Sequence, residues 1–117
     1  MSAGASPYAL LRRALDAGRL DTAEMAAREC PHLDLTTALE LVMLMQRDGD
    51  ARYEKAATRW LGRFLADKPE VGLEVAAELA ESFAELNGVM PDVARSRVAL
   101  LLQQAGLGRA SDSVAGG

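Results

Sequence analysis

The chain contains a single cysteine, Cys30, a single histidine, His32, and only two lysines, Lys55 and Lys68. A lone cysteine excludes a disulfide within the chain. A metal site closed by protein needs about four ligands, and one Cys with one His does not supply them. No apolar run is long enough to cross a bilayer, which takes about 18 residues or more. The opening residues, Met-Ser-Ala-Gly-Ala-Ser-Pro, lack the basic cluster and apolar stretch of a secretory signal, so a cytoplasmic setting is expected. No Gly-Lys-Ser/Thr phosphate loop occurs, and Gly106-Leu107-Gly108 is expected to have no helix after it, which leaves nucleotide binding unsupported. Alternating β-branched runs are missing, so no strand is expected. Seventeen acidic against thirteen basic side chains give a net charge of −4, which opposes general attraction to nucleic acid or anionic lipid.

What is present is hydrophobic and small. Half of the residues are hydrophobic and twenty-two are alanine, while only one Trp, two Tyr and two Phe supply aromatic bulk. Such a composition favours helices that approach each other closely. Ser6 is a helix cap before Pro7, and Gly18 stands where a left-handed terminal residue is wanted. Tyr8, Leu11 and Leu15 are expected to face inward from this first helix. Asp21 and Glu24 have the spacing of a capping box for a second helix, with Ala23, Ala26, Ala27 and Cys30 on one face before Pro31. Asp34 caps a third, running towards Gly49, whose residues Leu41 to Met45 are all apolar, the mark of a buried helix. Asp50 opens a fourth, in which Tyr53, Ala56, Ala57, Trp60, Leu61 and Phe64 form an apolar stripe that ends at Lys68-Pro69. A fifth from about Val71 to Asn87-Gly88 turns Val75, Ala76, Leu79, Phe83 and Leu86 inward, and a sixth from Pro91 to Ala105 does so with Ala94, Val98, Leu101, Leu102 and Ala105.

The expected fold is therefore all-α, with about six short antiparallel helices packed as helical hairpins in one small bundle or short stack. Residues 1–6 are expected to be flexible, residues 7–105 to form a single domain, and residues 106–117 to be a disordered tail because they hold too little apolar surface to order themselves. The turn Gly18-Arg19-Leu20-Asp21-Thr22-Ala23 resembles the inter-helix turn of tetratricopeptide repeats, over about fifteen residues in all. The repeat's Gly and aromatic in its first helix would fall at Leu11 and Ala14, and its closing Pro at Leu35, so the pattern departs from the family there. The resemblance implies stacked helical hairpins and a peptide- or protein-binding scaffold.

The most specific feature is a pair of charged rows. Arg52, Lys55, Arg59 and Arg63 recur at helical spacing in the fourth helix, and Glu70, Glu74, Glu78, Glu81 and Glu85 recur in and just before the fifth. In an antiparallel hairpin turning at Lys68-Pro69, one register sets Arg63 against Glu74, Arg59 against Glu78 and Arg52 against Glu85, with Lys55 near Glu81. Phe64 then faces Leu73, and Trp60 faces Ala77. The glutamates nevertheless lie far round from the apolar stripe of their own helix, so a solvated acidic face is the plainer reading and an internal ladder the sharper one.

Neither reading requires catalysis. Cys30 falls on an alanine face and is read as a small buried thiol rather than a nucleophile served by His32. Asp21 and Glu24 are accounted for by capping, so no acid–base pair is assigned. Catalytic residues, cofactors and metals are not expected. The sequence points to a non-catalytic protein-interaction module whose anchor is Arg52, Lys55, Arg59 and Arg63, with a protein partner or self-association as its target. The alternative is a small nucleic-acid-associated regulator using the same Arg52 to Arg63 stripe; against it, Tyr53, Trp60 and Phe64 are expected to be core residues rather than a stacking platform. Membrane docking is not expected, because the acidic row would oppose it.

Overall fold

The computed structural model describes residues 6–116. Among them the chain forms seven α-helices: α1 (Pro7–Ala17), α2 (Leu20–Arg28), α3 (Leu35–Arg47), α4 (Tyr53–Asp67), α5 (Gly72–Glu85), α6 (Pro91–Gln104) and α7 (Gly108–Gly116). A single 3-10 turn, Pro69–Val71, leads into α5. Each helix packs on the next in the chain, and α3 sits in the middle, touching α1, α2, α4 and α7. Its position follows from its sequence: Leu35, Leu39, Val42, Met43, Leu44 and Met45 are all buried, which only a helix with neighbours on several sides can achieve.

Local chemistry sets the helix ends. The Ser6 hydroxyl accepts from the Ala9 N–H at 3.1 Å, and the Asp34 carboxylate accepts from the Thr37 N–H at 2.7 Å. That amide hydrogen bond holds the Asp34 carboxyl below its ordinary pKa. Gly18 adopts a φ of 70° and closes α1, with the Arg19 N–H donating to the Ala14 carbonyl and the Gly18 N–H to that of Leu15. A residue with a Cβ would be strained there. The same pair of bonds recurs at Gly49 and Gly106, so three of the reversals are one motif.

Several expectations are corrected. Tyr8 is 45% exposed rather than inward: it sits in the first turn of α1, with its hydroxyl 3.4 Å from that of Thr37 in α3. Helix α2 begins at Leu20 with no side-chain cap; Asp21 and Glu24 form no capping box, and Glu24 is instead turned to Arg52. The largest correction is at the C-terminal end. A helix does follow Gly108, and residues 108–116, expected as part of a disordered tail, form α7 against α6 and α3. Ala110 and Val114, four apart, are buried on one face, and between them the Ser111 hydroxyl donates to the Ala99 carbonyl at 2.6 Å. Little apolar surface suffices when a preformed groove receives it. Residues 1–5, part of the expected flexible N-terminus, lie outside the described residues.

The aromatic centre of the molecule is the junction of α3, α4 and α5. Trp60 stacks on Phe64 with ring centroids 5.2 Å apart and meets Phe83 edge-on at 5.9 Å. Its indole N–H donates to the Leu35 carbonyl at 2.8 Å, and the Tyr53 hydroxyl donates to the Phe83 carbonyl at 2.7 Å. Burial pushes the Tyr53 phenol well above its ordinary pKa. Because Tyr53 opens α4 and Phe83 lies near the close of α5, this bond also fixes the two helices as antiparallel.

Candidate interaction face on α4 and α5

With Tyr53, Trp60 and Phe64 each 3% exposed or less, the orientation of α4 is settled, and the rest of its surface follows by counting about 100° per residue. The flank towards α5 carries Glu54, Thr58, Leu61 and Leu65. The opposite flank carries Arg52, Arg59 and Arg63, and Lys55 points outward between the two. On α5 the same count places Leu73, Ala77, Ala80 and Ala84 towards α4. Glu81 and Glu74 point outward, and Glu85 and Glu78 lean to the side of α6.

The hairpin register is close to the one expected, since Tyr53 with Ala84 and Ala57 with Ala80 line one groove between the helices. The charge ladder that this register invited is not formed. Among the described residues no ion pair joins the basic row of α4 to the glutamates of α5. The reason is angular: a groove lies between the helices, edged on the α4 side by Glu54 and Thr58, and the basic row lies farther round α4 while the glutamates of α5 point outward or towards α6.

Each basic residue meets its own surroundings. Arg52 grips the Glu24 carboxylate through both terminal nitrogens at 2.7 Å and also holds Asp50, from Nε to Oδ1 at 3.0 Å and from Nη2 to Oδ2 at 2.8 Å. With its fork filled, it stitches the start of α4 to α2. The pairing raises the Arg52 pKa further and lowers that of Asp50 to about 2, mainly through the hydrogen bonds between their side chains. Arg63 lies 3.7 Å from Asp67 and 3.4 Å from Nε2 of His32. A guanidinium has no lone pair, so the imidazole nitrogen is the acceptor there. Lys55 and Arg59 are exposed, and neither has an acidic oxygen within 4.0 Å among the described residues.

The glutamates are similarly divided. Glu81 approaches Arg97 of α6 at 3.9 Å, a separation of little energetic weight in water. Glu74, Glu78 and Glu85 are exposed and form no ion pair among the described residues, while Glu70 lies in the 3-10 turn. The groove has a volume of about 180 Å³ where Tyr53, Glu54, Ala57, Thr58, Leu61, Ala80, Phe83 and Ala84 meet. Leu73 stands at its end, 80% exposed.

The comparison with known proteins returns nothing: no protein-family model, no curated protein and no solved structure matches the chain. The site must be read from its geometry.

Other candidate chemistry does not assemble. The Cys30 thiol, expected to be buried, is half-buried because it lies just past the end of α2, and it donates to the Ala26 carbonyl of that helix at 3.4 Å, whereas His32 is exposed and turned to Arg63. Among the described residues no group of three or more His, Cys, Asp or Glu side chains is placed to hold a metal. No described helix is long and apolar enough to cross a membrane. The trough itself was missed by sequence reasoning. Its signal was present in Leu73, Ala77, Ala80 and Ala84, which recur at helical spacing on the side of α5 away from Leu79 and Phe83.

Proposed function

We propose that this chain is a non-catalytic protein-interaction module that presents the outer face of the α4–α5 hairpin to a protein partner. One observation carries the reading: Lys55 and Arg59 stand exposed on the outer side of α4, with no ion-pair partner among the described residues, just beyond the Glu54 and Thr58 edge of a groove whose floor is held by buried aromatic packing. Cations free of intramolecular partners beside desolvatable surface are suited to an acidic segment, because apolar contact supplies affinity and charge selects the partner. Arg52 and Arg63 serve mainly to brace α4 against α2 and the loop that follows it, so the anchor narrows to Lys55 and Arg59.

The nucleic-acid reading draws less support. Tyr53, Trp60 and Phe64 are buried, which leaves two free bases without an aromatic surface on which nucleobases could stack.

The test is affinity capture from the native host with the wild-type chain and with Lys55→Glu/Arg59→Glu, each with and without nuclease. The reversed variant should keep its helical circular dichroism and lose the captured protein, while nuclease changes nothing. Unaltered capture by the variant overturns the proposal, and capture abolished by nuclease transfers it to nucleic acid.

A further inference from the structure

We infer that the seam between α5 and α6 is a second docking surface, independent of Lys55 and Arg59, and that its occupant is a basic amphipathic helix of a protein partner. The outward side of α6 has no neighbour: among the described elements this helix packs only on α5 and α7, and Val93 and Leu100 are 49% and 55% exposed. Seven residues apart, they stand on one line along the helix. At one end the line continues through Met90 to Val89, also exposed, in the turn between α5 and α6. At the other, Gln104 follows Leu100 by one turn and stands with Glu70 at the rim of a cavity of about 400 Å³ walled by Val71, Val75, Leu101 and Ala105. Single exposed apolar residues need no explanation, but a row that ends in a cavity has the form of a binding groove.

Charge names the occupant. The approach of Glu81 to Arg97 at 3.9 Å fixes the register of the two helices, which sets Glu85 at the height of Val93, Glu78 at that of Leu100 and Glu74 at that of Gln104. Glu78 and Glu85 lean to this side, so each exposed apolar residue of α6 has a carboxylate beside it. Glu74, Glu78 and Glu85 have no ion pair among the described residues. With Glu70 and Glu81 they line the seam with carboxylates, against which stand Arg97 and, beside Gly106, the Lys68 ammonium. An acidic segment would be repelled there, and a neutral apolar one would desolvate the carboxylates without compensation. Lysines or arginines flanking an apolar stripe meet both needs. A helix fits the shape, because apolar side chains at i, i+3, i+4 and i+7 follow the row into the cavity, and the roughly 20 Å from Met90 to Gln104 takes about 14 helical residues.

The test is titration of the full chain into a labelled synthetic peptide of leucine and lysine, about 18 residues long with leucines at that spacing, read by fluorescence anisotropy. The wild type should bind it with an affinity that falls as salt rises. A peptide with glutamate in place of each lysine should bind more weakly, on the order of tenfold or more. Val93→Ser/Leu100→Ser and Glu78→Lys/Glu85→Lys, all at exposed positions, should each weaken binding of the lysine peptide to a similar degree with the helical circular dichroism retained. Lys55→Glu/Arg59→Glu should not weaken it, which separates this surface from the one proposed above.

A wild type that does not bind the lysine peptide at about 100 μM overturns the inference. So does binding that the glutamate peptide matches, or that the serine substitutions leave unchanged, since attraction by charge alone needs no groove. Self-association of the wild type that Val93→Ser/Leu100→Ser abolishes would give the face to a second copy of the chain and overturns it as well.

Discussion

The two flanks of α4 are treated in opposite ways. Towards α2, Arg52 is locked in a fork with Glu24 and Asp50, and Arg63 leans on His32, so the charged groups are absorbed into the fold. Towards α5, the helices touch through Tyr53 and Phe83 at depth but leave Leu61, Ala80 and Ala84 lining an open trough above. One flank is finished and the other is not. The difference teaches where to look for function: basic side chains that already have acidic partners brace the helix, and Lys55 and Arg59, with none among the described residues, are the ones proposed to meet a partner.

Removing the depth contact should have the greatest effect on stability. Trp60→Ala deletes a buried ring and its hydrogen bond to Leu35, and should lower unfolding free energy by about 3 to 5 kcal/mol in urea titration. Tyr53→Phe keeps the ring and removes the bond to the Phe83 carbonyl, with an expected loss of about 1 kcal/mol. Two serines sharpen the contrast between finished and unfinished polar groups. Ser111→Ala loses a bond that ties α7 to α6 and should cost about 1 kcal/mol. Ser82, fully buried, has a hydroxyl without a partner among the described residues, so Ser82→Ala should be neutral or stabilising by up to about 1 kcal/mol. The same urea titration distinguishes the signs.

On the outer side of α4, Lys55→Glu/Arg59→Glu should change the stability by no more than about 0.5 kcal/mol, since neither side chain has an ion pair to lose among the described residues. The braced flank should instead show itself in acid. The Asp50 carboxyl is lowered from 3.8 to about 2 by Arg52, so its contribution is whole above the unfolded value and is lost as pH falls through the folded one. Asp50→Asn should remove that part of the pH dependence between about 4 and 2, read from thermal melts across the acid range.

Much of the fold was legible because local chemistry announced it. Ser6, Asp34 and the glycines at 18, 49 and 106 mark helix ends by the hydrogen bonds they make or the conformation they permit. The apolar stripe of α4 placed Trp60 and Phe64 inside, where they are. Helix α7 was not legible, because Ala110 and Val114 provide too little surface to order nine residues without α3 and α6 already in place. The capping role assigned to Glu24 failed for a related reason: a distant arginine competes for the same carboxylate, and distance in sequence conceals it. Of the candidate anchor, all four basic residues were found, but which of them remain unpaired was not.

Periodicity and caps, which depend on neighbours within about four positions, determined from the sequence alone that this chain is helical, where most helices begin and end, and which side of α4 is buried. The tertiary structure decided how the helices turn about their own axes relative to one another. That rotation interposes Leu61, Ala80 and Ala84 between the acidic and basic rows, because close packing of Trp60, Phe64 and Phe83 outweighs the weak pull of exposed charges.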